Sequence, residues 1–367
     1  MRIGLNLLYL IPGLVGGSET YAAGLLRGLA TVSEGNEFVV FVNREGAHWP
    51  LPDSIRFTRV VCPVRAASRL RRYSYEQLLL SQLLDRLGVE LLHSLGYVMP
   101  LRTRRPAVVS ILDLNYLAVP ESVPWPRRLA LGFFVQQSAR RADHVITISE
   151  FVRQELIRDL GISGAKITPI LLAGPEGEPP GEPPAPAGWA DGGPYMIAFS
   201  SQFPHKNIPR LIRAFAIARE RRGLRHRLLV VGHRPPGETA GERDGAIFTG
   251  FLEQPELARA WSGAEALVFP SLYEGFGLPV LEAMARDIPV LSSDRASLPE
   301  VAGDAAIYFD PDSTEDIVNK LVAVASDAPL RQELARKGRR NLERFSWAKT
   351  AAETLDVYRT VLGGLRT

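Results

Sequence analysis

Two glutamates eight positions apart, Glu274 and Glu282, frame the stretch of this chain best suited to chemistry. Around them the sequence runs Phe269-Pro-Ser-Leu-Tyr-Glu-Gly-Phe-Gly-Leu-Pro-Val-Leu-Glu-Ala-Met-Ala285. An apolar run ends at Phe269, a loop carries Glu274, and Pro279 suits the first turn of a helix, where its missing N–H costs nothing. Gly275 and Gly277 let the backbone approach a ligand closely. Free N–H groups around Phe276, Gly277 and Leu278, backed by the helix dipole, make a seat for phosphate. Glu282, about one turn into that helix, can accept hydrogen bonds from a ribose diol, as the acidic residue of dinucleotide sites does. Glu274 stands where it can bind sugar hydroxyls. The ligand so outlined carries phosphate and many hydroxyls. The same residues would also make an ordinary capped helix with two solvated glutamates.

The elements that must position this loop follow a repeating order. Residues 2–10 predict a buried parallel strand, 11–17 a Gly-rich loop and 18–30 an amphipathic helix. Further strands are expected at 38–43, 91–93, 108–112 and 145–149, with a helix at 129–141 and an apolar helix at 75–87. Residues 174–194, dense in Pro and Gly, cannot hold a helix or an inner strand and predict a linker. The alternation then restarts, with strands at 195–200, 228–231, 246–249, 266–270 and 289–292. Helices are expected at 209–220, 255–264 and from 279 onward. This pattern predicts two Rossmann-like, doubly wound parallel-sheet domains, residues 1–173 and 195–345, facing a central cleft. The helical spacing of 346–367 predicts a last helix returning to the first domain.

Composition narrows the class. Of 367 residues, 46% are hydrophobic and 23% charged, as in soluble globular proteins and unlike disordered chains. Residues 1–173 hold 20 Lys and Arg against 14 Asp and Glu, whereas the rest hold 23 against 26. A basic first domain suits an anionic acceptor or a membrane surface, and ordinary surface charge is the plainer reading. The segment Arg65–Arg72, ahead of the apolar helix, can rest on anionic lipid as a peripheral membrane contact, and a helix packed on its own sheet with a solvated basic end is the plainer reading. The single cysteine, Cys62, points to a reducing cytoplasm. The apolar start is strand length and lacks a cleavage motif, so it is read as a strand and not as a leader. Aromatic-interleaved basic patches are not evident, so nucleic acid is not an expected partner.

The run YEGFGLPVLEAMA resembles the Glu-x7-Glu signature of the retaining GT-B glycosyltransferases of family 4 (glycosyl transferases group 1). FTGFLEQPELARAWSGAEALVFPS upstream and SLPEVAGDAAIYFDPDSTEDI downstream are similar to the family's flanking stretches. The resemblance covers nearly the whole chain. It implies a metal-independent hexosyltransferase that takes a nucleotide-diphosphate sugar as donor and a saccharide or lipid-linked hydroxyl as acceptor, with no cofactor. It further implies that Glu274 contacts the donor sugar, that Phe276, Gly277 and Leu278 offer N–H groups, and that Glu282 holds the ribose. Lys206, in Gln-Phe-Pro-His-Lys-Asn207, matches the basic residue that neutralises the departing diphosphate. Gly250 and Phe251 are implied as further donor contacts, and Gly16–Gly17 resembles the family's glycine turn.

In Ser110-Ile-Leu-Asp-Leu-Asn-Tyr116 the family usually reads His-Asp-Leu; here Leu112 replaces the histidine and Asp113 is kept as a catalytic candidate. A main-chain role survives that change, whereas a side-chain role does not. His93 lies in a stretch resembling a family strand end and is read as structural. Asp310-Pro-Asp312 spells a metal motif of another fold but is read as a turn. Two alternatives stand beside the leading one. The first is an epimerase or phosphorylase on the same scaffold; the second is a nucleotide-sugar-binding subunit impaired in turnover.

Overall fold

The computed structural model describes residues 1–33, 35–175, 193–235, 237–239 and 245–364. Most of the segment read as a linker, residues 176–192, lies outside the described residues. The chain divides into two compact units: Met1–Ala173 with Phe345–Thr367, and Gly174–Arg344.

The first unit is built on seven strands: β1 Arg2–Leu7, β2 Glu37–Val42, β3 Phe57–Val61, β4 Leu91–Ser94, β5 Ala107–Ile111, β6 His144–Thr147 and β7 Ile167–Pro169. All neighbours pair in parallel, in the order β3-β2-β1-β4-β5-β6-β7. The inner strands read as unbroken apolar runs because helices cover both faces of a parallel sheet. Every residue of Ala-Val-Val-Ser-Ile in β5 is buried. The helix Gly17–Val32 follows β1 and packs against the helix Trp347–Gly363. A Cβ at Gly24 would fall 2.2 Å from the Trp347 indole, so glycine there lets the ring lie directly on the helix backbone. Ser346 starts the last helix by accepting a hydrogen bond from the Lys349 N–H at 3.1 Å.

A buried polar chain ties that helix to the sheet. His93 Nδ1 lies 2.7 Å from the Tyr358 hydroxyl and its Nε2 2.7 Å from Ser110 Oγ, which meets the Tyr21 hydroxyl at 2.8 Å. Burial pushes the imidazole down to about 3, so His93 is neutral at ordinary pH and serves structure.

The second unit carries six parallel strands: β8 Tyr195–Ser200, β9 Arg227–Gly232, β10 Ala246–Gly250, β11 Ala264–Phe269, β12 Val290–Ser293 and β13 Ala306–Phe309. Their order is β10-β9-β8-β11-β12-β13. Phe215 from the helix Ile208–Arg222 and Leu321 from the helix Thr314–Ser326 pack with Met196, Val230, Val268 and Leu291 of the sheet.

The structure corrects one expected helix. The apolar run at 75–87 is two helices, Arg69–Leu78 and Leu80–Arg86, so Arg69, Arg71 and Arg72 lie within a helix instead of ahead of it. Strands β3 and β7 and the helix Glu150–Leu160 add to the expected elements.

Candidate functional site

In each unit the chain starts a sheet at an inner strand, winds outward one way, then returns to wind the other. The reversal lies between β1 and β4 in the first unit and between β8 and β11 in the second. Ligands of open α/β sheets bind beyond the carboxyl ends of the strands at such a switch point. The loop after β8 carries Lys206 and the loop after β11 carries Glu274. They meet there: Lys206 Nζ lies 2.6 Å from Glu274 Oε1, with the side chains only 21% and 14% exposed. The ammonium also sits 5.4 Å from the centroid of the Phe269 ring, within cation–π range. Leu272 N–H donates to the His205 carbonyl at 2.8 Å and holds the two loops together.

The Glu274 loop is fastened from below. Ser297 is fully buried, and its Oγ lies 2.9 Å from the Glu274 carbonyl oxygen and 3.0 Å from that of Phe276. Gly277 has φ 103° and caps the helix Leu278–Met284, a conformation closed to most side chains. Phe276 is buried. Glu282 is half-buried in the helix. Burial pushes its carboxyl above the ordinary range, against the opposing pull of Arg286. Arg286 spends its hydrogen bond on the Glu282 carbonyl, at 2.9 Å. Among the described residues the Glu282 carboxylate accepts no hydrogen bond, so this group has acceptor capacity to offer a ligand.

Gly250 ends β10 at φ 71°, two strands from β8, and Phe251 beside it is 82% exposed. The pair shares the carboxyl rim of the sheet with Lys206 and Glu274 but not their immediate contacts. His205 is buried and stacked on Phe203, with ring centroids 5.7 Å apart. Asp310 binds Arg295 at 2.8 Å, Asp312 binds Arg210 at 2.7 Å, and the Pro311 carbonyl accepts from Asn207 and Arg210. This D-x-D is therefore an arginine-tied turn. Among the described residues no group of three or more His, Cys, Asp or Glu is placed to hold a metal.

Gly16, Gly17 and Asp113 belong to the first unit. Gly16 has φ 51° and caps the helix Gly17–Val32. Asp113 accepts from the Tyr97 hydroxyl at 3.0 Å and from Asn115 N–H at 3.2 Å. Asp113 and the neighbours of the glycine pair, Val15 and Ser18, line one cavity of about 310 Å³. Leu112 is buried at the end of β5.

Sequence reasoning missed Ser297, although it lies in the stretch SLPEVAGD that marks the family resemblance, and a serine before a helix there invited attention. It also missed the aromatic floor that Phe269 sets under Lys206.

Residues 184–341 match the family described as "Glycosyl transferases group 1", and residues 15–171 match "Glycosyltransferase Family 4". The chain is a family 4 glycosyltransferase. This glycosyltransferase is 28% identical to the O-antigen chain mannosyltransferase B of Escherichia coli over 283 residues, 73% of each chain. It is 26% identical to the O-antigen chain mannosyltransferase RfbU of Salmonella typhimurium over 272 residues, 69% of this chain and 71% of that one. Among solved structures, sucrose-phosphate synthase of Thermosynechococcus elongatus superposes with a TM-score of 0.76 over 99% of this chain and 100% of its own, at 18% identity. The fold of the glycosyltransferase is thus GT-B, with two Rossmann-like parallel-sheet domains. Among the described residues, no helix is long and apolar enough to cross a membrane.

Proposed function

We propose that this glycosyltransferase moves a hexose of the mannose, glucose or rhamnose type, mannose foremost, from a nucleotide-diphosphate sugar to an acceptor hydroxyl. Its product would be a cell-surface polysaccharide or glycolipid, made in the cytoplasm with retention of anomeric configuration and without a metal. The observation that carries this reading is the Lys206–Glu274 pair, 2.6 Å apart at the switch point of the second sheet. The two O-antigen mannosyltransferases it resembles support mannose and the polysaccharide. The buried free thiol of Cys62 fits a reducing compartment.

The chemistry follows from charge. As the donor's C1–O bond breaks, negative charge gathers on the leaving diphosphate. A half-buried ammonium stabilises that charge far better than one in water. Before donor arrives, Glu274 neutralises Lys206. With donor bound, phosphate takes the ammonium and Glu274 turns to the sugar hydroxyls. The Glu282 carboxylate, desolvated and without a hydrogen-bond donor, recovers what burial costs it when a ribose diol supplies two O–H groups. The acceptor oxygen forms its bond to C1 on the face the diphosphate leaves, and its proton passes to a phosphate oxygen. No enzyme carboxylate is needed as nucleophile. Lys206 supplies the positive charge a metal would otherwise bring.

Incubation with GDP-mannose, UDP-glucose and dTDP-rhamnose, alone and with alkyl glycoside acceptors, tests the reading. Nucleotide release with transfer, and a product whose anomeric proton signal matches the donor's configuration, is the expected result. An inverted product removes the retaining mechanism. Leu112, in place of the family's histidine, favours a second reading, a donor-binding subunit without turnover. Nucleotide binding with no turnover of any donor would select it.

A further inference from the structure

The cavity beyond the carboxyl ends of β1, β4 and β5 is lined by three arginines and a single carboxylate. Arg69 and Arg72, from the helix Arg69–Leu78, and Arg127, from the helix Trp125–Arg141, all line it. The one carboxylate in the lining, Asp113, is engaged by Tyr97 and Asn115. Among the described residues neither Arg69 nor Arg127 has a carboxylate partner. Arg72 comes nearest, with Nε 3.8 Å from Glu76 Oε2, beyond hydrogen-bond distance. Its side chain is only 12% exposed, and its Nε is buried without a hydrogen bond. The Arg72 guanidinium instead lies 4.6 Å from the centroid of the Tyr73 ring, which stacks on Phe134 of the facing helix. Tyr116 also lines the cavity, fully buried, with a hydroxyl that has no partner. The guanidinium of Arg127 is pushed below the ordinary arginine range, first by desolvation and then by the like charges of Arg69 and Arg72.

Three like charges converging on one concavity repel one another until a counter-charge arrives. Guanidinium groups match phosphate oxygens in geometry. The volume, about 310 Å³, is at the lower end for small-ligand sites and suits one charged headgroup. The same two helices expose large apolar side chains, Leu70 on one and Trp125, Leu129 and Phe133 on the other. Charge inside and apolar surface on the flanking helices describe a ligand with a phosphate head and a hydrophobic carrier. The geometry points to a binding site in the first domain, built by Arg69, Arg72 and Arg127, for a phosphate or diphosphate ester of the acceptor, of lipid-linked type. This rests on the glycosyltransferase reading and names the acceptor's class.

Dissociation constants for farnesyl phosphate, farnesol and mannose 6-phosphate, measured on wild type and on Arg69→Gln, Arg127→Gln and Lys206→Gln, test the site. Arg69 and Arg127 are exposed, so those replacements are not expected to disturb folding. Wild type is expected to bind farnesyl phosphate at least tenfold more tightly than farnesol. Each first-domain arginine variant should weaken that binding about tenfold, and Lys206→Gln should bind as wild type does. Equal or tighter binding of mannose 6-phosphate, with the same arginine dependence, supports the anion site and assigns it to a free sugar phosphate instead of a lipid. Arginine variants that bind like wild type, or a loss confined to Lys206→Gln, overturn it. So does binding to phosphatidylglycerol vesicles with neither phosphate ester bound, which would make the arginines a membrane contact. A melting-temperature shift with GDP or UDP on the wild type is read separately: failure there sinks the donor reading, whereas failure with the esters alone leaves it standing.

Discussion

Ser297→Ala isolates the contribution of one buried hydroxyl to both the stability and the activity of the Glu274 loop. Its Oγ reaches the carbonyl oxygens of Glu274 and Phe276 at 2.9 and 3.0 Å, and the residue is fully buried. Water cannot replace it without opening the loop. A buried hydrogen bond contributes about 1 kcal/mol net, and leaving a carbonyl short adds to that, so the loss is about 1–2 kcal/mol. For a domain of this size that lowers the melting temperature by roughly 2–8 °C. The same loop aims Glu274 at Lys206, so looseness there also reaches the chemistry. If about 1.4 kcal/mol of positioning is lost, kcat/KM for the donor falls about tenfold. Scanning calorimetry and donor turnover on the purified variant measure both. A variant that melts as wild type does, or one that melts lower yet turns over donor within twofold of wild type, would refute the idea that Ser297 sets the loop.

Three more outcomes are expected. The buried imidazole of His93 protonates only near pH 3 when folded but near 6.5 when unfolded, so wild type loses stability as pH falls between those values. The slope is about 1.4 kcal/mol per pH unit for one proton, and denaturant unfolding of His93→Gln between pH 6 and 4 should show a shallower slope by about that amount. Glu282 has a carboxyl raised by burial, so its contribution is present at low pH and lost as pH rises through the folded value. Without ligand, Glu282→Gln should therefore melt no lower than wild type at pH 8 and lose any advantage at pH 4. Titration with GDP or UDP should find Glu282→Ala binding nucleotide at least tenfold more weakly, since a charge-assisted pair of ribose hydrogen bonds is lost.

Much of the second sheet was legible because its strands are short apolar runs bounded by glycine or proline. The strand expected at 195–200 coincides with β8, and that at 246–249 with β10 to within one residue. The edge strand β3 was not legible: Phe-Thr-Arg-Val-Val is half-exposed and carries an arginine, so its pattern lacks the continuous apolar run of the inner strands. In the basic segment Arg69 and Arg71 are exposed, as a solvated end requires, yet helix geometry turns Arg72 inward toward Tyr73 and Glu76. At the candidate site, Glu274 could be singled out locally because it follows a strand end, whereas Lys206 was legible through the family resemblance. What the linear order hides is contact across the sheet: the 2.6 Å approach of the pair, the Ser297 clamp, and the arrival of Arg127 beside Arg69. Those depend on which strands become neighbours, and that is settled by the fold.

In the proposed reaction Lys206 carries the charge of the departing diphosphate. The decisive measurement is the turnover number of Lys206→Ala with the wild-type protein's preferred nucleotide sugar at saturation. A fall of about a hundredfold or more is expected, as for removal of other groups that stabilise developing charge, with donor affinity changing much less. A Lys206→Ala enzyme that turns over at the wild-type rate would contradict it.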